Sequence, residues 1–238
     1  MCTVVLLVRP GHAWPLLLAA NRDERLDRPW DRPGAHWPDR PGLMAGRDRL
    51  GGGTWMAVRG GVFAAVLNRP GSLGPETGKR SRGGLPLLAL EHGSAGAAAA
   101  ALASLDAGEY RTFNMAVAGR DGAWFIRGLG RGRAEAAALV PGLHIITAHD
   151  PNSPDSPRAM AQLPRFRSAP PPDPDTGDWT AWQGLLADRS GEALNVTPHG
   201  GFGTVCASLA GVPARGAPVW LFAAGPPDVA AFEPVALP

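Results

Sequence analysis

The stretch Met1-Cys2-Thr3-Val4-Val5-Leu6-Leu7-Val8-Arg9-Pro10-Gly11-His12-Ala13-Trp14-Pro15-Leu16-Leu17-Leu18-Ala19-Ala20-Asn21-Arg22-Asp23-Glu24 opens the chain and decides its fold. Thr3 to Val8 is a β-branched, apolar run, and Trp14 to Ala20 is a second. Arg9-Pro10-Gly11-His12 between them carries turn chemistry. Two apolar runs of matched length around a short turn predict a hairpin. Neither run alternates apolar with polar, so both strands are expected to be covered on both faces, at the centre of a layered fold. Antiparallel pairing brings the end of the second strand back to the start of the first. A strand of about seven residues spans about 20 Å. Asn21-Arg22-Asp23-Glu24 is therefore expected beside Cys2.

Outward from that hairpin, residues 22–50 are rich in Pro, Arg, Asp and Trp and show no period, which predicts a long surface loop. Gly51-Gly52-Gly53 follows, and Thr54 to Val58 and Gly61 to Leu67 read as a second hairpin turning at Arg59-Gly60. Residues 69–84 read as a polar loop. Leu85 to Leu105 is rich in Ala and Leu and predicts one or two helices, broken near Gly93 and Gly96. Phe113 to Ala118 and Trp124 to Arg127 predict a third hairpin, and Leu143 to Thr147 a further strand. A short helix is expected near Arg158 to Leu163, and another from an Asp178 N-cap to Ala187. Gly203 to Ala210 and Pro218 to Ala223 close the chain as a strand pair. Hairpins separated by helices point to an α+β fold of antiparallel sheets covered by helices, not to a doubly wound parallel sheet. A length of 238 residues suits one domain over 1–238.

Composition removes several function classes. The net charge is +2 with no long block of one sign, so no nucleic-acid footprint is visible. The arginines between Arg22 and Arg49 are interleaved with Asp and Glu, which predicts internal ion pairs. Two cysteines, Cys2 and Cys206, are too few for a disulfide scaffold. No secretory leader pattern and no apolar run of roughly 20 residues is present, so a cytoplasmic protein with free thiols is expected. Gly74-Pro75-Glu76-Thr77-Gly78-Lys79 lacks the spacing and the following Ser or Thr of a phosphate loop. Gly128-Leu129-Gly130-Arg131-Gly132 lacks the third glycine and the element order of a dinucleotide site. The six histidines are scattered without metal-ligand spacing. Neither a metal nor a cofactor is called for.

Cys2 carries the chemical interest. Removal of Met1 would leave a free α-amine, of pKa near ~8, on a cysteine at the start of a buried strand. One residue would then supply both nucleophile and base. Asp23 would hold or orient the amine, Arg22 would favour the thiolate, and Asn21 would donate to a developing oxyanion. The plainer reading stays open: Cys2 as a small apolar residue beginning a strand, and the tetrapeptide as a polar turn.

Met1-Cys2-Thr3, Asn21-Arg22-Asp23-Glu24, Gly52-Gly53-Thr54-Trp55, Leu67-Asn68 and Ser81-Arg82-Gly83 carry a family resemblance. In order and spacing they resemble the NRDE family, also called the transport and Golgi organisation 2 family. The resemblance implies an N-terminal-nucleophile (Ntn) hydrolase-like architecture, a four-layer αββα sandwich of two antiparallel sheets covered by helices. The N-terminal half is also similar to choloylglycine hydrolases and penicillin V acylases. That similarity implies Cys2 as nucleophile, Asp23 as the aspartate beside it, and Asn68 as an oxyanion-hole asparagine. The arginine of those enzymes falls on Ala20, with Arg22 in a neighbouring place facing a different way. Their second oxyanion asparagine has no direct match, and His149 or Asn152 is the expected substitute. Asn21, Trp55, His149 and Asn152 form the expected substrate-binding set, with Trp14, Trp30 and Trp37 as further candidates for an apolar lining. The function so implied is hydrolysis of non-peptide C–N (amide) bonds. The alternative is a non-catalytic carrier of haem, lipid or acyl-CoA, with His149 and His199 as candidate haem ligands. The expected partners are small molecules: an amide, a lipid or haem.

Overall fold

A computed structural model describes residues 2–238. In chain order the first strands are β1 (Thr3–Val8), β2 (Leu16–Arg25), β3 (Trp30–Gly34), β4 (Met44–Asp48), β5 (Met56–Arg59) and β6 (Val62–Asn68). Helices α1 (Leu85–Ala89) and α2 (Ala95–Ala103) follow, then β7 (Phe113–Gly119), β8 (Gly122–Gly128), β9 (Glu135–Ala138) and β10 (Gly142–Ile146). Helices α3 (Pro157–Ser168) and α4 (Thr180–Ala187) precede β11 (Phe202–Val212), β12 (Val219–Ala223) and β13 (Phe232–Pro234). The chain divides into two compact units, one formed by the segment up to Arg28 with Pro141–Leu237, the other by Pro29–Val140.

The first unit holds an antiparallel sheet in the order β10-β1-β2-β11-β12-β13. The predicted N-terminal hairpin forms with Val5 opposite Ala19 and Thr3 opposite Asn21. Val5, Leu17, Ala19, Ala207 and Leu209 pack with Leu163 and Phe166 of α3 and Trp182 and Leu186 of α4. Val4, Leu6, Val8, Leu16 and Leu18, on the opposite face of the same strands, are buried as well. Both faces are thus dry, which is why these runs lack the alternation of a half-exposed strand.

The second unit holds an antiparallel sheet in the order β3-β4-β5-β6-β7-β8-β9. Ala57, Ala64, Met115, Val117 and Ile126 bury one face of it against Leu85 and Leu87 of α1 and Ala98, Ala99 and Leu102 of α2. The β5–β6 turn is Gly60-Gly61, one residue later than expected. Both glycines have positive φ, 57° and 82°, which a tight two-residue hairpin requires.

The segment 22–50 departs from the expected loop. β2 runs on to Arg25, and β3 and β4 pair within that segment. β3 contains Pro33 and its register shifts between Asp31 and Gly34. Proline is tolerated there because β3 is the edge strand. β9, Glu-Ala-Ala-Ala, is fully exposed and reads locally as helix, yet it pairs with β8 as the other edge. Gly96, expected at the helix break, lies in the first turn of α2. Ser94 caps that helix by accepting from the Ala97 N–H at 3.2 Å.

The motif glycines of the second unit are packing devices. Thr54 N–H donates to Gly83 O at 2.9 Å, and a Cβ on Gly53 would run into the Gly83 backbone. Two main chains meet there with no flexible side chain to yield. Gly53→Ala is expected to destabilise the chain by about 2 kcal/mol, and Gly83→Ala by less, because a Cβ there meets Gly53 Cα at 3.1 Å. Urea unfolding followed by circular dichroism tests the ranking; a Gly53→Ala midpoint equal to that of the unsubstituted chain would contradict it.

Candidate active site

β2 is the organising strand, with β1 on one side and β11 on the other. Thr3 pairs with Asn21, Arg22 with Cys206, and Asp23 with Thr204. Cys2 precedes β1 by one residue, and its Sγ reaches the main chain of Asp23. The Asp23 N–H donates to Sγ at 3.4 Å, and the thiol donates to Asp23 O at 3.4 Å. The start of the chain and the tetrapeptide therefore meet, as the hairpin register requires.

The Asp23 side chain is fully shielded from solvent. Thr204 Oγ1 donates to its Oδ1 at 2.6 Å, and Arg158 Nη1 donates to its Oδ2 at 3.2 Å. The same Nη1 lies 3.3 Å from Thr3 Oγ1. Val196 N–H donates to Thr204 Oγ1 at 2.7 Å, which fixes the hydroxyl. A carboxylate taken out of water needs such partners, since an uncompensated buried charge costs several kcal/mol. Sequence reading had named neither Thr204 nor Arg158. Arg158 is separated from Asp23 by 135 residues, and no local signal joins them.

Arg22 is only 5% exposed, and its Nη2 lies 3.6 Å from Glu24 Oε2. β2 is continuous from Leu16 to Arg25, so Ala20 and Arg22 project from the same face. This corrects the expectation that Arg22 faces a different way from the Ala20 position. Burial pushes the Cys2 thiol above its usual range, and the Asp23 carboxylate adds to that shift. The Asp23 N–H and the Arg22 charge pull the other way and are outweighed. Cys206 is buried, and its thiol is held far above the usual cysteine range, chiefly by burial.

The remaining expected site residues fall on several elements. Asn21 is buried, and its Nδ2 donates to Leu186 O of α4 at 3.2 Å. It faces the helices. Asn152 lies beside β10. Its Oδ1 accepts from Ile145 N–H at 2.8 Å and its Nδ2 donates to Leu143 O at 2.9 Å. Both ends of the amide are spent on the free edge of β10. Its φ of +54° suits asparagine better than most residues. His149 is half-buried, and its N–H donates to Thr147 Oγ1 at 3.2 Å. His199 is exposed. Asn68 and Trp55 belong to the second unit. Asn68 ends β6 opposite Phe113, and Trp55 packs edge-on against Trp30 at 5.8 Å. Trp14 is buried in the core of the first unit and Trp37 packs against that of the second.

The Asn152 geometry carries a prediction. Asn152→Ala is expected to cost about 2–3 kcal/mol, from two lost hydrogen bonds and left-handed backbone strain. Asn152→Gly should recover the strain part alone. Thermal melts of both variants test this, and equal melting temperatures for the two would refute the strain contribution.

Solved structures share this fold. A Caenorhabditis elegans orthologue of N-acylethanolamine-hydrolysing acid amidase superimposes with a TM-score of 0.61 at 13% identity, covering 90% of this chain and 94% of its own. A variant of conjugated bile acid hydrolase from Clostridium perfringens gives a TM-score of 0.53 at 11% identity, covering 100% and 97%. The architecture is thus α+β and Ntn-hydrolase-like, as the sequence motifs implied. No curated protein sequence matches the chain. No helix among the described residues is long and apolar enough to cross a membrane. Residues 1–166, well over half of the 238, match the family described as Transport and Golgi organisation 2, and the chain belongs to that family.

Proposed function

We propose that the chain is an N-terminal-cysteine hydrolase of small-molecule amides, acting as one functional domain with Cys2 as its nucleophile. The observation that carries this reading is the meeting of Cys2 Sγ with the Asp23 main chain at 3.4 Å, at the end of a buried central hairpin. The folds that superimpose on it include one described as hydrolysing N-acylethanolamines and one as hydrolysing conjugated bile acids, which agrees with an amide substrate.

In this reading Met1, which lies outside the described residues, is removed. The Cys2 α-amine then takes the thiol proton, and Sγ attacks the amide carbonyl carbon. The tetrahedral intermediate collapses as the amine returns that proton to the leaving nitrogen. A thioester remains, and water, deprotonated by the same amine, releases the acid and restores the thiol. Asp23 orients the amine, and Arg22 offsets the developing negative charge.

A second reading has one observation in its favour. Burial and the Asp23 charge displace the Cys2 thiol above its usual range, which disfavours the thiolate and suits a carrier of haem or lipid that uses no nucleophile. Haemin titration of the chain and of Cys2→Ala separates the two, since only the carrier reading expects binding that survives the substitution.

Intact mass of the purified chain is expected to show loss of Met1. An N-acyl amide probe should acylate Cys2 far faster than Cys206, and Cys2→Ala should lose turnover by at least about 10³-fold. Persistent turnover in Cys2→Ala would sink the hydrolase reading.

The pH behaviour follows from the direction of the thiol shift. The Asp23 charge raises the pH at which Cys2 ionises, so Asp23→Asn should move Cys2 alkylation to lower pH. The same variant should hydrolyse amides more slowly, because the amine loses its orienting group. Alkylation and turnover moving in the same direction would argue against the two roles assigned to Asp23.

A further inference from the structure

Asp23 can orient the Cys2 amine only if its own carboxylate is held in place and its charge is balanced. Thr204 fixes one oxygen, at 2.6 Å, but brings no charge. Arg158 supplies the cation, with Nη1 3.2 Å from Asp23 Oδ2. That nitrogen also lies 3.3 Å from the Oγ1 of Thr3, the residue after Cys2. One guanidinium therefore ties the start of β1 to the polar end of β2. Arg158 is itself held in the first turn of α3. Ser156 caps that helix by accepting from Ala159 N–H at 3.2 Å, and its hydroxyl is 2.9 Å from Thr147 Oγ1 just beyond β10.

We propose that Arg158 is a positioning residue for Cys2, acting through Asp23. Its guanidinium anchors the carboxylate against Thr3 and balances its charge beside the thiol. The proposal rests on Cys2 being the reacting group. The groups that act on the thiol are Arg22 and Asp23 on β2 and Cys206 on β11; Arg158 on α3 reaches it through Asp23, and the half-buried His149 follows β10, the strand paired with β1. Without Arg158 the Asp23 charge acts on Cys2 unbalanced, which disfavours the thiolate and holds the α-amine as ammonium.

The test is alkylation of the full chain with iodoacetamide across a pH series, with Cys2 and Cys206 peptides quantified separately by mass spectrometry. Arg158→Gln is expected to raise the half-point of Cys2 alkylation by about one pH unit, roughly tenfold slower labelling below it, as for a nearby charge at an effective dielectric of about 20. Arg158→Lys, which keeps the charge, should stay close to the unsubstituted profile. In an Asp23→Asn background Arg158→Gln should add a smaller shift, because the part routed through the carboxylate is gone and only the direct effect of the lost cation remains. Circular dichroism melts confirm folding, and Arg158→Met, with a stem of similar length, carries the same comparison if the Gln variant does not fold.

An unchanged half-point in a folded Arg158 variant overturns the proposal, as does a shift of undiminished size without Asp23. Alkylation needs no substrate turnover, so the two readings fail separately. Acylation of Cys2 by an amide probe with no Arg158 shift removes the positioning role and leaves the nucleophile. A shift without any acylation leaves the Arg158–Asp23 coupling intact and removes the hydrolase.

Discussion

Everything at the candidate site hangs on the register of β2 between β1 and β11. Side chains on a strand alternate between faces, so a slip of one residue would exchange the two sets. Asp23 would then turn away from Thr204 and Arg158, and Arg22 would be driven among the helices. The polar end of β2 does not set this register by itself. The apolar end does, through Val5, Ala19 and Leu209 in one cross-strand row and Leu7, Leu17 and Gly211 in the next. Trp14 lies against Gly211, where a Cβ would come within 3.0 Å of the indole. Burial of these rows, at roughly 25 cal/mol per Å² of apolar surface, holds a charged cluster that would not assemble on its own.

Two adjacent charged residues, Arg22 and Asp23, are both buried, and they project from opposite faces. Each therefore needs its own counter-charge. Asp23 has Arg158 from α3 and Arg22 has Glu24 from its own strand. The thiol of Cys2 feels both, and magnitude decides the outcome. Full burial can shift an ionisable group by several pH units, whereas a single charge acting through a high effective dielectric moves it by about one. Burial wins, and the thiol is displaced upward despite the arginine.

Much of this was legible in the sequence wherever a signal is local. The three hairpins and the strand at Leu143 follow from apolar runs and glycine turns, and helices form near Arg158 and after Asp178, although the N-cap of α4 is Trp179 and not the expected Asp178. The meeting of Cys2 with the tetrapeptide follows from hairpin geometry alone. What was missed is long-range or disguised. β3 carries a proline that a central strand would reject, and only its edge position permits it. β9 has the composition of a helix and is a strand because β8 offers an unpaired edge. Asn152 looks like a free amide in a loop, but the open edge of β10 engages both its ends. Arg158 and Thr204 meet Asp23 only once two distant elements have packed.

The β-bulge in β11 explains how Thr204 and Cys206 come to serve different faces. Thr204 lies opposite Asp23, and Cys206 lies opposite Arg22, so two steps along β11 match one step along β2. In a regular strand Thr204 and Cys206 would project from the same face. The extra residue, Val205, inverts the alternation: Thr204 joins Asp23 on the helix side, while Cys206 joins Arg22 on the other. Ala207 and Leu209 beyond the bulge still point into the helix-side core. Were Val205 instead paired in a regular ladder, it would lie opposite Asp23 and Thr204 opposite Glu24, so the apolar register could be kept only by taking the hydroxyl away from Asp23. The bulge reconciles a core that fixes the strand with a polar end that serves the site, and it lies where the proposed chemistry needs it.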